Sequence, residues 1–283
     1  MLLVTGAEGM VGSYLREVFS DTELYLTDID NMDVTNFALV EETIKKVKPS
    51  AILHLAAETD VDHCQQYPDK AFKVNVFGTQ NVAMLCRKYD ILLVYVSTAG
   101  VFGGDKREPY TEFDTPNPVN IYGLTKLEGE RLVERILYRY FIVRAGWMIG
   151  GEDKDKKFVG KMIQLMRERK EIRVVYDKIG SPTFAKYLLL GIKKLMNTQY
   201  YGLYHMTCKG VCSRYDIALE IAKIMKKDIK ITPVSSAFFP LPAPRAYSEA
   251  MRNYKLDLLG MNDMPTWQEA LKEYLSSWIT FPK

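Results

Sequence analysis

The sequence predicts an α/β protein: a doubly wound parallel (Rossmann) sheet with a smaller, interleaved C-terminal substrate domain. Three observations carry this. Short apolar runs alternate with stretches of helical periodicity as far as residue 146, and such runs suit strands covered on both faces and joined by helical crossovers. The first run ends in a turn with glycines at 6, 9 and 12 that opens a helix. Beyond residue 147 the alternation loosens and a Pro-rich loop appears.

The elements follow in order. Strand "LLVTG" (2–6) leads into helix 11–19, "LYLT" (24–27) into helix 36–47, and "AILHLAA" (51–57) into helix 69–88. "ILLVYVST" (91–98) leads into helix 119–137, and "YFIVRAG" (140–146) closes the regular series. A charged loop (152–157), helix 157–169 and strand "IRVVY" come next; helix 183–196 and strand "YGLYHM" read as a return to the sheet. Helix 213–226, strand 229–234, a loop with Pro233, Pro240, Pro242 and Pro244, and helix 266–278 complete the chain. The expected division is a dinucleotide-binding domain from 1–148 and 180–206, with a substrate-binding region from 149–179 and 207–283.

Composition narrows the function. The chain has 283 residues, 47% hydrophobic and 26% charged, with a net charge of +3. That charge gives no footprint for nucleic acid. No apolar stretch approaches the roughly 20 residues of a membrane span, and the N-terminus lacks a basic n-region, so it reads as a strand and not a signal peptide. Cys64, Cys86, Cys208 and Cys212 read as free thiols of a reducing cytoplasm. Only "KGV" separates Cys208 from Cys212, with no second pair or His cluster beside them, so no metal is expected. His54 and His205 end apolar runs and read as packed side chains.

Three motifs carry chemistry. Gly6, Gly9 and Gly12 allow a tight strand-to-helix turn that aims backbone N–H groups at a pyrophosphate. Asp28 ends the second strand, where a carboxylate accepts from a ribose 2′-hydroxyl. Ser97 and Thr98 end the fourth strand, placed either to reach a substrate oxygen or to satisfy turn backbone. Tyr122 and Lys126 stand four apart. Wound at about 100° per residue, they fall in or beside the sector of Leu132, Val133 and Ile136, with Glu128, Glu130 and Arg131 on the other side. An inward ammonium beside Tyr122 is expected to lower the phenol pKa from about 10 and ease proton transfer. Gly129, one turn on, leaves room.

Taken together, these residues resemble an extended short-chain dehydrogenase/reductase, and most closely the dTDP-4-dehydrorhamnose reductase family. "LTDIDNMDVTN" resembles the family's second strand, and "HLAAETDVDHCQQYPDKAFKVNVFGTQNVA" its third βα unit. "PYTEFDTPNPVNIYGLTKLEGE" is nearly the family pattern, and "GSPTFA" and "MPTWQEALKEYL" recur near its end. The resemblance implies hydride transfer from a nicotinamide to a sugar C4 keto carbon. Tyr122 is then the proton donor, Thr98 a hydrogen-bond donor to the same oxygen, and Lys126 the holder of the nicotinamide ribose. It also implies a cofactor site of Gly6, Glu8, Gly9, Met10, Val11, Gly12, Asp28, Asp33, Val34, Leu55, Ala56, Ala57 and Asn75, with Tyr122 and Lys126. Asn75 either positions the Lys or caps structure. Val101, Phe102, Trp147 and Arg245 are the substrate-side candidates, Trp147 by stacking and Arg245 by binding a diphosphate.

The chain departs from the family in places. The usual Thr-Asp-Tyr-Val-Phe is Thr98-Ala99-Gly100-Val101-Phe102, an Asn-Phe-Val is Lys157-Phe158-Val159, and an Arg-Pro is Arg245-Ala246. A sugar-nucleotide epimerase and a non-catalytic dinucleotide-binding regulatory subunit stay open; a 4,6-dehydratase would show Asp-Glu where Ala99 and Gly100 stand. The expected partner is a nucleotide sugar, with a homodimer as an assembly open to the chain. NAD(H) is the expected coenzyme and NADP(H) the alternative, because no Arg or Lys lies from 24 to 41 while Asp28, Asp30 and Asp33 do, and Glu8 adds an acid inside the glycine turn.

Overall fold

The computed structural model describes residues 1–280. Strands β1 (Leu2–Thr5), β2 (Leu24–Leu26), β3 (Ala51–His54), β4 (Leu92–Thr98) and β5 (Tyr140–Ala145) join the edge strand Gly202–His205 in one sheet. The spatial order is edge strand, β5, β4, β3, β1, β2, and every pairing is parallel. The pleat sorts side chains into two cores. Leu2, Val4, Leu53, Val94 and Val143 join one cluster with Leu15, Leu188 and Ile192. Leu3, Ile52, Leu93, Tyr95 and Ile142 join the other with Val40, Ile44, Val82 and Val133. Burial on both faces is why these strands read as unbroken apolar runs and not as alternating ones.

Several elements differ from expectation. Helix 11–19 is a 3₁₀ turn, Gly12–Tyr14, followed by a single helical turn, Leu15–Val18. The expected helix 69–88 runs as Pro68–Phe72, a π-helical stretch Lys73–Gly78, and Thr79–Tyr89. The π turn directs Asn75 inward, where it is fully buried. An extra helix, Val61–Gln66, is nucleated by Asp60, whose carboxylate accepts from the N–H groups of Asp62 and His63. Helix Ile121–Ile136 starts at Asn120, whose side chain accepts from the Gly123 N–H.

Short strands missed in the sequence frame the C-terminal half. Trp147–Ile149 pairs with Pro182–Phe184. Ile179–Gly180 lies between Cys212–Ser213 and Ser248–Glu249 in a three-stranded ribbon. Two residues per strand leave no periodicity to read. Glu171–Val175 pairs with Lys230–Val234 as a separate parallel ladder. Val159, Ile217, Trp267 and Leu271 from this half enter the same apolar cluster as Leu2 and Val4.

One polar cluster crosses the apolar interior. Arg144, on β5, donates to Glu130 through Nε to Oε1 at 2.9 Å and Nη2 to Oε2 at 2.7 Å. Both residues are buried, and Ser97 on β4 donates to the same carboxylate. Glu130 was expected on the solvated side of its helix. Its carboxylate turns inward because Arg144, on a strand that is otherwise apolar, needs a countercharge. Glu130→Ala is therefore expected to destabilise the protein by about 3–5 kcal/mol in urea unfolding, the cost of stranding a buried charge. Glu130→Leu combined with Arg144→Met should recover most of that loss.

Candidate active site

Parallel pairing aligns the carboxyl ends of β1, β2 and β3, and the chain order reverses between β1 and β3, where ligands settle in such sheets. The Gly6–Gly12 turn lies there, and its glycines have different tasks. Gly6 has φ +67°, and a Cβ on it would fall 2.6 Å from the Ala56 backbone nitrogen. A Cβ on Gly12 would fall 1.8 Å from the Ala7 carbonyl oxygen. The protein's own packing requires both. A Cβ on Gly9 would meet nothing closer than the Gly6 oxygen at 3.3 Å, so the side of the turn near Gly9 stays accessible to a ligand.

Asp28 latches this turn. Its Oδ2 accepts from the Glu8 N–H and its Oδ1 from the Ile29 N–H, each at 2.8 Å. Glu8 and Gly9 are exposed, and Met10 and Val11 half-buried. Leu55, Ala56 and Ala57 are half-buried just past β3. Asp33 accepts from the Thr35 N–H at 2.8 Å. The Val34 side chain is core: it fills the space where Gly78 lacks a Cβ, which removes it from side-chain contact with a ligand. A cation does reach the turn, though not from the second strand. Lys154 Nζ donates to the Glu8 carbonyl at 2.8 Å, and Gly151 of the same segment packs on Met10.

Two of the three proposed catalytic residues, Thr98 and Tyr122, meet where two backbones touch, and Lys126 follows one helical turn after Tyr122. Thr98 ends β4, and its Oγ1 accepts from the Gly100 N–H at 3.0 Å. Helix Ile121–Ile136 comes so near that a Cβ on Gly123 would lie 2.0 Å from the Gly100 oxygen. That approach brings Tyr122 to the Thr98 hydroxyl. Burial pushes the Tyr122 phenol up to about 12, and Thr98 works against it. Lys126 is 3% exposed. Its Nζ stands 4.1 Å from the centroid of the Tyr95 ring, with no hydrogen bond or ion pair among the described residues. Burial lowers its pKa to about 7, opposed by Glu130. The expectation that the Lys126 cation lowers the Tyr122 pKa does not hold in this geometry. Desolvation outweighs attraction, and the ammonium lies over Tyr95. Gly129 serves as expected: a Cβ there would meet the Tyr95 hydroxyl at 2.4 Å.

Other candidates divide. Asn75 is sealed from solvent, which rules out direct cofactor contact. Its Oδ1 accepts from the Glu58 N–H at 2.8 Å, and its Nδ2 donates to the Glu58 carbonyl and, at 3.0 Å, to Thr125 Oγ1. Asn75 thus ties the loop after β3 to the residue preceding Lys126. Val101 and Phe102 have no exposed surface, and Phe102 stacks on Tyr110 with centroids 4.1 Å apart. They are core residues, not substrate contacts. Ser97 is a structural donor to Glu130. Trp147 is half-buried and donates from Nε1 to Glu249 at 2.7 Å. Arg245 is engaged by Asp62 at 2.9 Å and the Ala243 carbonyl at 2.7 Å.

Sequence reading missed Glu130, Arg144, Glu249 and Arg214. An Arg inside "YFIVRAG" was the available signal for a buried acid. Glu249 and Arg214 gave none, because the ribbon that brings them to Trp147 has no sequence pattern.

The family model described as the RmlD substrate binding domain matches residues 1–279. The chain belongs to that family. It is 32% identical to the dTDP-4-dehydrorhamnose reductase of Aggregatibacter actinomycetemcomitans over 96% of this chain and 97% of that one. A crystal structure of a dTDP-4-dehydrorhamnose reductase from Clostridium acetobutylicum superposes with TM-score 0.95 at 38% identity, covering 98% of this RmlD-family chain and 99% of the other. One from Bacillus anthracis, in complex with NADP, superposes with TM-score 0.94 at 37% identity and 98% coverage of both.

The Lys126 environment yields a stability test. The folded pKa near 7 lies below the ordinary 10.5, so between those values the unfolded chain binds more protons and stability rises with pH. Below about pH 7 the full cost of the buried ammonium is present. Lys126→Met should therefore raise the melting temperature of the cofactor-free protein at pH 7, by about 2–4 °C per kcal/mol relieved. The advantage should shrink as pH approaches 10. Calorimetric scans across pH check both.

Proposed function

We propose that this chain reduces the 4-keto group of a nucleotide-linked 6-deoxy sugar, dTDP-4-dehydrorhamnose being the best fit, to the corresponding alcohol. The observation that carries the reading is the convergence of Tyr122 with the Thr98 hydroxyl at the end of β4, one helical turn before a buried Lys126 that has no hydrogen-bond partner among the described residues, in a chain that also carries the Gly6–Gly12 turn. That convergence fits a nicotinamide dinucleotide, which when bound supplies the hydride. Tyr122 gives its proton to the substrate oxygen as the carbonyl becomes an alkoxide. Thr98 donates a hydrogen bond to the same oxygen. Lys126 holds the ribose through hydroxyl contacts that give its amine the partner the protein does not provide. The division into a dinucleotide domain (1–148, 180–206) and a substrate region (149–179, 207–283) belongs to this reading. So does a cytoplasmic setting, supported by four unpaired, buried thiols.

Wild type incubated with NADH and the 4-keto sugar should oxidise coenzyme stoichiometrically. No net oxidation with sugar interconversion would point to an epimerase, and binding without turnover to a regulatory subunit. Tyr122→Phe should lower kcat by about 10²–10⁴-fold, the usual worth of general acid catalysis, with NADH affinity held. Activity within threefold of wild type would sink the assignment.

For the coenzyme, the reading keeps NADH over NADPH by at least about tenfold in kcat/KM, roughly 1.4 kcal/mol. Asp28 is bound through both oxygens beside the turn, where a 2′-phosphate meets like charge. Lys154 is the cation placed to offset this. Lys154→Ala should widen the NADH preference. Equal use of both coenzymes by this variant would overturn the role of Asp28.

A further inference from the structure

Arg214 opens helix Arg214–Ile224, directly after the ribbon strand Cys212–Ser213. Its guanidinium carbon sits 3.8 Å from the centroid of the Trp147 ring and 5.0 Å from that of Phe158. Among the described residues it makes no hydrogen bond or ion pair. The platform beneath it is fixed: Trp147 Nε1 is held by Glu249 at 2.7 Å, and a Cβ on Gly180 would fall 2.5 Å from the indole. Stacking uses the face of a guanidinium and leaves its in-plane N–H donors to grip a planar or tetrahedral oxyanion.

Glu249, Arg245 and Asp155 act electrostatically on Arg214, and Arg214 in turn acts on Lys157. None of these carboxylates takes a hydrogen bond from Arg214: Glu249 accepts from Trp147, Asp155 from the Lys157 N–H at 3.0 Å, and Asp60, which acts on Lys157, from the first N–H groups of helix Val61–Gln66. Arg245 is held by Asp62. Arg214 and Lys157 remain as cations with donors to spare, Arg214 as the first residue of helix Arg214–Ile224 and Lys157 as the cap of helix Phe158–Glu168, each at the positive end of its own helix. The charge of Glu249 also falls on Tyr122, so the stack lies within electrostatic reach of the reacting phenol. In a nucleotide sugar the C4 carbonyl and the C1 diphosphate stand across one ring from each other.

We infer that Arg214, with Lys157 beside it, takes the diphosphate of the substrate through its edge donors while its face rests on Trp147. This rests on the nucleotide-sugar reading above, and it moves the diphosphate role from Arg245 to a residue the sequence did not single out. The test is calorimetric binding of dTDP, dTMP and thymidine to the NADH-loaded protein, for wild type, Arg214→Met and Arg214→Lys. Wild type should bind dTDP more tightly than dTMP, and dTMP more tightly than thymidine. Arg214→Met should weaken dTDP about 10–100-fold and leave thymidine within twofold. Arg214→Lys should fall between, because it keeps charge without the fork. NADH affinity reports folding; if Arg214→Met loses it, Arg214→Lys decides. A dTDP affinity within twofold of wild type in a folded Arg214 variant overturns the inference, as does wild-type binding of dTDP no better than thymidine. Binding is read without turnover, so failure to reduce a keto sugar would defeat the proposed reaction alone.

Discussion

The buried Arg144–Glu130 pair is the constraint on which the site's geometry depends. Glu130 sits one turn after Lys126 on helix Ile121–Ile136, and Arg144 sits on β5 opposite Ser97 of β4. Ser97, also bonded to Glu130, immediately precedes Thr98. One carboxylate thus fixes the helix to two adjacent strands, within a residue of Thr98 and one helical turn of Lys126. A buried ion pair is weak as a source of net stability, because desolvation consumes most of its Coulomb energy. Its value here is registry. A helix rotated or slid along the sheet would leave two charges unpaired in an apolar interior.

With position fixed this way, burial sets the chemistry. The interior disfavours charge on both Tyr122 and Lys126, and a polyol partner for Lys126 is what the protein itself does not supply. Asn75 adds rigidity from the other side by joining the loop after β3 to Thr125. The glycines complete the arrangement by removing side chains where backbones must touch: Gly6 against Ala56, and Gly123 against Gly100.

Much of this was legible in the sequence. The sheet was readable because each strand is buried on both faces, and the glycine turn, Thr98, Tyr122 and Lys126 because they lie on regular elements with fixed spacing. Long-range pairing was not. Glu130 looked like one of a run of surface acids until Arg144 was placed opposite it. Val101 and Phe102 sit beside the site in sequence, yet their side chains turn into the core. Lys154 and Arg214 come from distant segments that no local pattern connects to the glycine turn or to Trp147. Their electrostatic roles depend on packing, which periodicity does not report.

The contact between Gly123 and Gly100 is asymmetric, and this bears on how the pocket can diversify. A side chain at 123 would collide with the Gly100 carbonyl, so that position is closed to change. A Cβ at 100 would instead lie 3.4 Å from Thr98 Oγ1 and 3.7 Å from Tyr122 Cδ1, in ordinary contact and pointing at the reacting groups. Residue 100 can therefore gain a side chain without disturbing the helix, and whatever it gains becomes pocket wall. Selection for a bulkier or a smaller sugar can act through this single codon while the proton-transfer apparatus stays as it is.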